Sequence, residues 1–438
     1  MSELSRRAIA LGGALACAMS LAACGGDSTP ETPGASGASP ANDAGEPITI
    51  TYESWGPTQE SMDAVIDAFQ AANPGVTVQA SLLPYADYIT ALKTELASGT
   101  GPDVFEIQAG GALKEFQSLL TPVAEPVQEI LGQDITQVYK QSALDQVSID
   151  GVAYGLPNGF SSAGMLWVNN SILDEQGIAV PTSYDELVAA CKKLREAGIV
   201  PVAIGAKDDW MLIDIFTSMS NAIAPGEQYA AQDSGGKWTT DGLIKTFDAF
   251  ATMFKDGVAM DGATGAMTYS DTYDLYADGK AAFFTNGSWN QDMYVGAKDR
   301  IGAFKSSVIL MPTISGAAPV TAGIGGIYAV NKNSANPEAA LKLAYFMSAG
   351  QGAQIMIDGN LNFAVTVADI TPSGELSEDA AATRAELTDQ LNNNLAGYRE
   401  VPDAGVKTAL GQELIKLAAG TTDGKAAAEA VQAAADDQ

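Results

Sequence analysis

The chain has 438 residues, Lys+Arg 23 against Asp+Glu 53, no histidine and three cysteines, giving a formal net charge of −30. That acidity repels phosphate backbones, and no basic stripe exists to release counterions, so nucleic acid is excluded as a partner. Without histidine there is no Ser-His-Asp or Cys-His nucleophile and no His-ligated metal; calcium-loop and P-loop patterns are also missing, so no catalytic residue, metal or cofactor is expected.

At the amino end, Arg6 and Arg7 precede an apolar run from Ala8 to Ala23 that is too short and too rich in Gly and Ala to span a bilayer. Residues 1–23 therefore read as a secretory signal, with Sec export as the default and a twin-arginine hint in Ser5-Arg6-Arg7. The small residues of LAAC before Cys24 resemble the lipobox of bacterial lipoproteins, in which the cysteine carries the lipid. Residues 24–47 are Pro, Gly, Ser, Ala and acidic groups with nothing to pack, a disordered tether. With Cys17 removed and Cys24 lipidated, Cys191 is alone in the folded body, so no intramolecular disulfide is expected. Its place in the helical pattern YDELVAACKKL suits a small buried residue better than a reactive thiol.

From residue 48, Ile48, Ile50 and Tyr52 alternate as in a strand, and Met62, Val65, Ile66 and Phe69 share a helical face that Asn73-Pro74-Gly75 stops. Val76, Val78 and Ala80 alternate again; a helix through Ile89, Leu92 and Leu96 ends at Ser98-Gly99; DVFEI follows as a buried strand. This alternation predicts an open, mostly parallel α/β sheet. VSIDGVAYGLP predicts a hairpin turning at Asp150-Gly151. MLWVNN and PVAIG are strands around the helix of PTSYDELVAACKKLREAGI, and from about residue 336 helical patterns dominate.

In this order, ITITYESWGPTQESMDAVIDAFQAANPGVTV, LKTELASGTGPDVFEI, DGVAYGLP, LWVNNSILDEQGIAVPTSYDELVAACKKL, GKAAFFTNGSWN and GGIYAVNKNSANPEAALKLAYFMS resemble the extracellular solute-binding proteins of ABC-type sugar importers, the maltose-binding relatives. The resemblance implies an α/β, periplasmic-binding-protein-like fold, two α/β lobes around a ligand cleft joined by hinge strands. The motif order places lobe 1 at 48–160 plus 308–352 and lobe 2 at 161–307 plus 353–438. One departure stands out: DGNLNFAVTV replaces a segment that in many relatives carries a proline near the cleft, so contacts at Asn362 and Phe363 do not carry over.

In open α/β sheets ligands sit beyond the carboxyl ends of strands, which points to Trp55 and Gln108 after ITITYE and DVFEI. A sugar ring offers an apolar face and a belt of hydroxyls, so its site needs flat aromatics and fixed polar groups. Trp289 in NGSW and Trp210 in KDDWM match cleft aromatics of the family, while Trp167 and Trp238 are assigned to packing or surface. Glu53, Glu106, Asn158, Asp208 and Asn290 are the remaining polar candidates, and Gly325 and Gly326 match a family glycine pair that lets backbone approach the cleft.

The expected function is that of a monomeric, lipid-anchored component of an ABC importer that captures a carbohydrate, an oligosaccharide by expectation, and delivers it to permease transmembrane subunits. Its expected place is the outer face of the cytoplasmic membrane of a single-membrane bacterium, held by the Cys24 lipid. The alternatives are an extracellular glycosidase using carboxylates such as Asp208-Asp209, and a sugar-sensing surface receptor without transport.

Overall fold

Along Ile48–Ser54, Ile50, Tyr52 and Ser54 point to one buried side, and the following helix Gln59–Ala72 lays Met62, Val65 and Phe69 against it. The helix stops where the Asn73 side-chain amide donates to the Phe69 carbonyl and Gly75 takes a positive φ of 94°. These elements belong to the computed structural model, which describes residues 47–56, 59–292, 300, 304–359, 370 and 378–437. The signal segment, Cys24, the tether, Asn362 and Phe363 lie outside the described residues.

The first sheet has five strands in the order Val76–Leu82, Ile48–Ser54, Val104–Ile107, Ile327–Val330 and Leu156–Pro157. Its first three are parallel, as β-α-β units require, and Ile327–Val330 runs antiparallel to both of its neighbours, Val104–Ile107 and Leu156–Pro157. Ile50, Tyr52, Phe69, Leu92, Phe105, Ile327 and Leu343 form its core. The second sheet has four strands, Ser306–Leu310, Met165–Asn169, Ala281–Asn286 and Val200–Ala203. Its core gathers Leu166, Leu187, Cys191, Phe216, Phe247, Phe250 and, from the carboxyl-terminal helices, Leu410, Leu414 and Val431. Cys191 is fully buried there and burial pushes its thiol up to about 12, which fits packing rather than reactivity.

A third, three-stranded sheet joins the lobes. Phe160–Ala163 runs antiparallel to Val320–Ile324, and Leu395–Tyr398 pairs parallel on the other side of the latter. Near the first lobe the two crossing segments are stapled by backbone. Asn158 N donates to Gly326 O at 3.0 Å, and Gly325 N donates to Gly159 O at 2.8 Å.

Three placements rest on pairing between distant segments. Ser306–Leu310 pairs with Met165–Asn169 in the second sheet, and Met311 and Ala318 join the second core. The helix Gln351–Gly359 puts Met356 into the first core. Trp238, in the hydrophilic stretch GGKWTTDG, is fully buried in the second core, where Gln432 of the last helix accepts a hydrogen bond from its backbone N–H at 2.7 Å. The Asp150-Gly151 hairpin forms as the sequence implies, with φ of 51° and 77° and Ile149 paired to Val152.

Candidate functional site

Three aromatic rings follow one another on the second lobe. Trp210 stands in the first turn of the helix Asp209–Ile223, Trp289 in the short turn Ser288–Asp292 after the strand Ala281–Asn286, and Tyr269 in a π-helical turn over Thr268–Thr272. The Trp210 and Trp289 centroids are 6.2 Å apart at 54°, and Tyr269 stacks on Trp210 at 5.8 Å and 21°. Tyr269 is 49% exposed, so the series runs from the interior to the surface.

Local chemistry explains the placement. Asp208 accepts a hydrogen bond from Thr268 N at 2.5 Å, which ties the π-helical turn to the start of the Trp210 helix. Gly205 permits that approach, since a Cβ there would lie 2.5 Å from Thr268 N. Gly287 does the same for Trp289, because a Cβ at 287 would collide with the indole ring. Trp167 Nε1 donates to Gly287 O at 3.2 Å from below. Trp289 Nε1, Asn290 Nδ2 and Thr268 Oγ1 are buried polar atoms without a partner among the described residues. Buried polar groups are nearly always hydrogen-bonded, so these atoms stand out beside the aromatic rings.

The facing wall comes from the first lobe. Trp55 packs edge-on against Tyr85, centroids 5.2 Å apart at 84°, and Tyr85 donates to Gln108 Oε1 at 2.7 Å. Lys407 of the second lobe donates to the same oxygen at 3.4 Å and pairs with Glu400 at 3.2 Å. Burial pushes the Tyr85 hydroxyl up to about 12, and Lys407, Glu400, Arg399 and Asp209 are all close enough to act on it. Gln108 is thus a point of contact between the lobes. Tyr85, Tyr269, Arg399 and Lys407 also border this candidate site and were not among the residues expected from the sequence. In GYREVP, adjacent opposite charges before an apolar-proline pair were the available signal for Arg399.

The other polar candidates hold the walls together. Glu53 lies beside Glu95 of the helix Tyr85–Ser98, and burial together with that carboxyl raises its pKa. Glu106 is 4% exposed and accepts from Asn158 Nδ2 at 2.5 Å. Asn158 Oδ1 in turn accepts from Gly326 N at 2.7 Å, and a Cβ on Gly326 would collide with Glu106 Oε1. Glu106, Asn158 and Gly326 therefore form a lock where the crossing strands enter the first lobe. Gly325 contributes the backbone staple to Gly159.

Two walls of aromatic and amide groups on separate α/β lobes, joined by paired strands, are the layout of a receptor for small solutes. Residues 55–354 match the family described as bacterial extracellular solute-binding protein. The chain belongs to that family. A binding protein of Brucella abortus (strain 2308) is 24% identical over 306 residues, which is 70% of this chain and 72% of the relative. The galactooligosaccharide-binding protein of Bacillus subtilis (strain 168) is 24% identical over 348 residues, 76% of this chain and 74% of the relative. Among solved structures, one from work on xylan utilization by the thermophilic bacterium Caldanaerobius polysaccharolyticus superposes with a TM-score of 0.78 at 19% identity, covering 88% of this chain and 99% of that one.

In this solute-binding protein the lock at Glu106 makes stability depend on pH. Burial pushes the Glu106 carboxyl up to about 7, against the opposing bonds from Ser54, Asn158 and Tyr52. Ser54 Oγ lies 2.5 Å from Glu106 Oε2 and 2.7 Å from Gly56 O. Ser54 Oγ donates to Glu106 Oε2 and so favours the carboxylate, but burial outweighs it. A carboxyl whose folded pKa lies above its unfolded value binds its proton more tightly when folded. The contribution of this one carboxyl is therefore fully present below the unfolded value near 4.5 and is lost as pH rises through about 7. The decline is expected to reach roughly 3 kcal/mol. Glu106→Gln keeps the shape without the charge, and melting at pH 5 and pH 8 should show it gaining on the parent at the higher pH. A constant difference between the two proteins at both pH values contradicts the assignment.

Proposed function

We propose that this protein captures a neutral oligosaccharide between its lobes and hands it intact to the transmembrane subunits of an ABC importer. The observation that carries the reading is the succession Trp289, Trp210, Tyr269 with unpaired buried donors at Trp289 Nε1 and Asn290 Nδ2 beside it. Such a surface removes the apolar faces of sugar rings from water and offers their hydroxyls fixed partners. Three rings in line provide more contact than one pyranose face fills, which favours an oligosaccharide. Arg399 and Lys407, the cations bordering the cleft, are already committed to Asp214 and Glu400, which favours a neutral ligand over a uronate. The relatives named for galactooligosaccharides and for xylan utilization support the same class.

In this reading the first lobe comprises residues 47–160 and 325–359, and the second 161–324 with the carboxyl-terminal part from 378. Trp210, Trp289 and Asn290 contact the ligand from the second lobe, with Trp55 and Gln108 on the opposite wall. Glu53, Glu106, Asn158, Asp208, Gly325 and Gly326 hold that geometry. No chemistry is needed: Asp208 is occupied by Thr268 N, and the sugar is expected back unchanged after incubation.

Calorimetry against galacto-, xylo- and maltooligosaccharides identifies the ligand. A tryptophan covering roughly 100 Å² of apolar surface supplies roughly 2.5 kcal/mol, more than the roughly 0.5 to 1.5 kcal/mol of an exchanged neutral hydrogen bond. Trp210→Ala and Trp289→Ala should each weaken binding roughly thirty- to a hundredfold. Trp238→Ala, a change inside the second core, should lower the melting temperature and leave the affinity of the folded fraction unchanged. Parent-like affinity in folded Trp210→Ala and Trp289→Ala together removes the cleft from consideration.

We also infer that Cys24 carries a lipid and that the protein is thereby held, as a monomer, at the outer face of the cytoplasmic membrane. Support comes from LAAC after the Arg-led apolar run and from the unpackable tether behind it. No described helix is long and apolar enough to cross a membrane. Cys24→Ser should shift the protein from washed membranes to the medium; a variant that stays with the membranes in high salt refutes the anchor. Co-purification with permease subunits separates transport from sensing.

A further inference from the structure

Arg399 follows the strand Leu395–Tyr398 and is 8% exposed; Asp214, on the helix Asp209–Ile223, is 4% exposed. Arg399 Nε donates to Asp214 Oδ1 and Nη2 to Oδ2, both at 2.8 Å, a two-pronged pair that fixes the guanidinium plane. The guanidinium carbon stands 4.5 Å from the centroid of the Trp289 ring. Stability alone does not account for this pair, because buried ion pairs replaced by apolar residues of similar volume commonly leave a protein as stable or more so.

The Trp289 ring rests on Gly287 and beside Trp210, but among the described residues Arg399 is the charged group placed over its face. The Trp289 turn is five residues long and follows a glycine, and the indole Nε1 has no partner among the described residues. A planar cation locked edge-on by a carboxylate and lying over an indole ring holds that ring in one orientation. We propose that Arg399, oriented by Asp214, is a positioning residue of the ligand cleft: it fixes the plane of Trp289, and through it the Trp289–Trp210–Tyr269 series, before ligand arrives. This rests on the carbohydrate reading of the cleft. A ring ordered in advance spares the ligand the entropy of ordering it.

Two variants test the assignment. Asp214→Leu with Arg399→Met removes the pair without leaving a lone buried charge, and Arg399→Lys keeps the charge while losing the plane and the second prong. Each is measured for melting temperature, for calorimetric Kd toward the oligosaccharide that binds the parent, and for the Trp289 contribution to near-ultraviolet circular dichroism, taken as the difference from the same chain carrying Trp289→Phe. The expected result is a folded double variant whose Kd is weakened about tenfold and whose Trp289 signal is lost without ligand, with Arg399→Lys changed in the same direction. If the double variant does not fold, Arg399→Lys decides alone. A parent-like Kd overturns the proposal, and so does a weakened Kd with an unchanged Trp289 signal, since the arginine would then act by touching ligand. If Trp289→Ala itself leaves Kd unchanged, the carbohydrate reading of this cleft fails instead.

Discussion

Everything in this molecule depends on how the chain crosses between its two cores. Phe160–Ala163 and Val320–Ile324 cross as an antiparallel pair, and Asn158 and Gly326 exchange hydrogen bonds where that pair enters the first lobe. Paired extended strands resist stretching but tolerate twist and bend, while each core is packed at the density of a solid. Rotation of one lobe against the other is therefore the soft motion of the molecule.

The same crossing positions the ligand groups. The strand Phe160–Ala163 contacts the Trp289 turn through Ser162 N donating to Ser288 Oγ at 3.0 Å, and Val320–Ile324 carries the neighbouring strand that delivers Arg399. The aromatic wall is thereby referenced to the hinge, while Gln108 and Tyr85 project from the rigid first sheet. A ligand that meets both walls favours the closed arrangement by the contacts that exist only there. Arg399 is paired internally with Asp214, and Lys407 with Glu400.

The regular parts of this arrangement were legible in the sequence because local physics fixes them. Alternation at Ile48, Ile50 and Tyr52, the Asn-Pro-Gly stop and the Asp-Gly turn each depend on a few adjacent residues. So did the burial of Cys191. What escaped depends on partners far along the chain. Trp238 is buried because a helix some two hundred residues later covers it, and Arg399 lies over Trp289 only because a third strand joins the hinge. Glu106 lies within the strand Val104–Ile107, and the partners that bury it, Ser54 and Asn158, are each 52 residues away.

The central claim is that the crossing strands are a hinge on which the lobes close over a carbohydrate. Small-angle X-ray scattering of the tether-free body, with and without the oligosaccharide at a concentration shown by calorimetry to saturate it, tests this most directly. The account predicts a smaller radius of gyration and a narrower distance distribution with ligand. Identical curves at full saturation would contradict it.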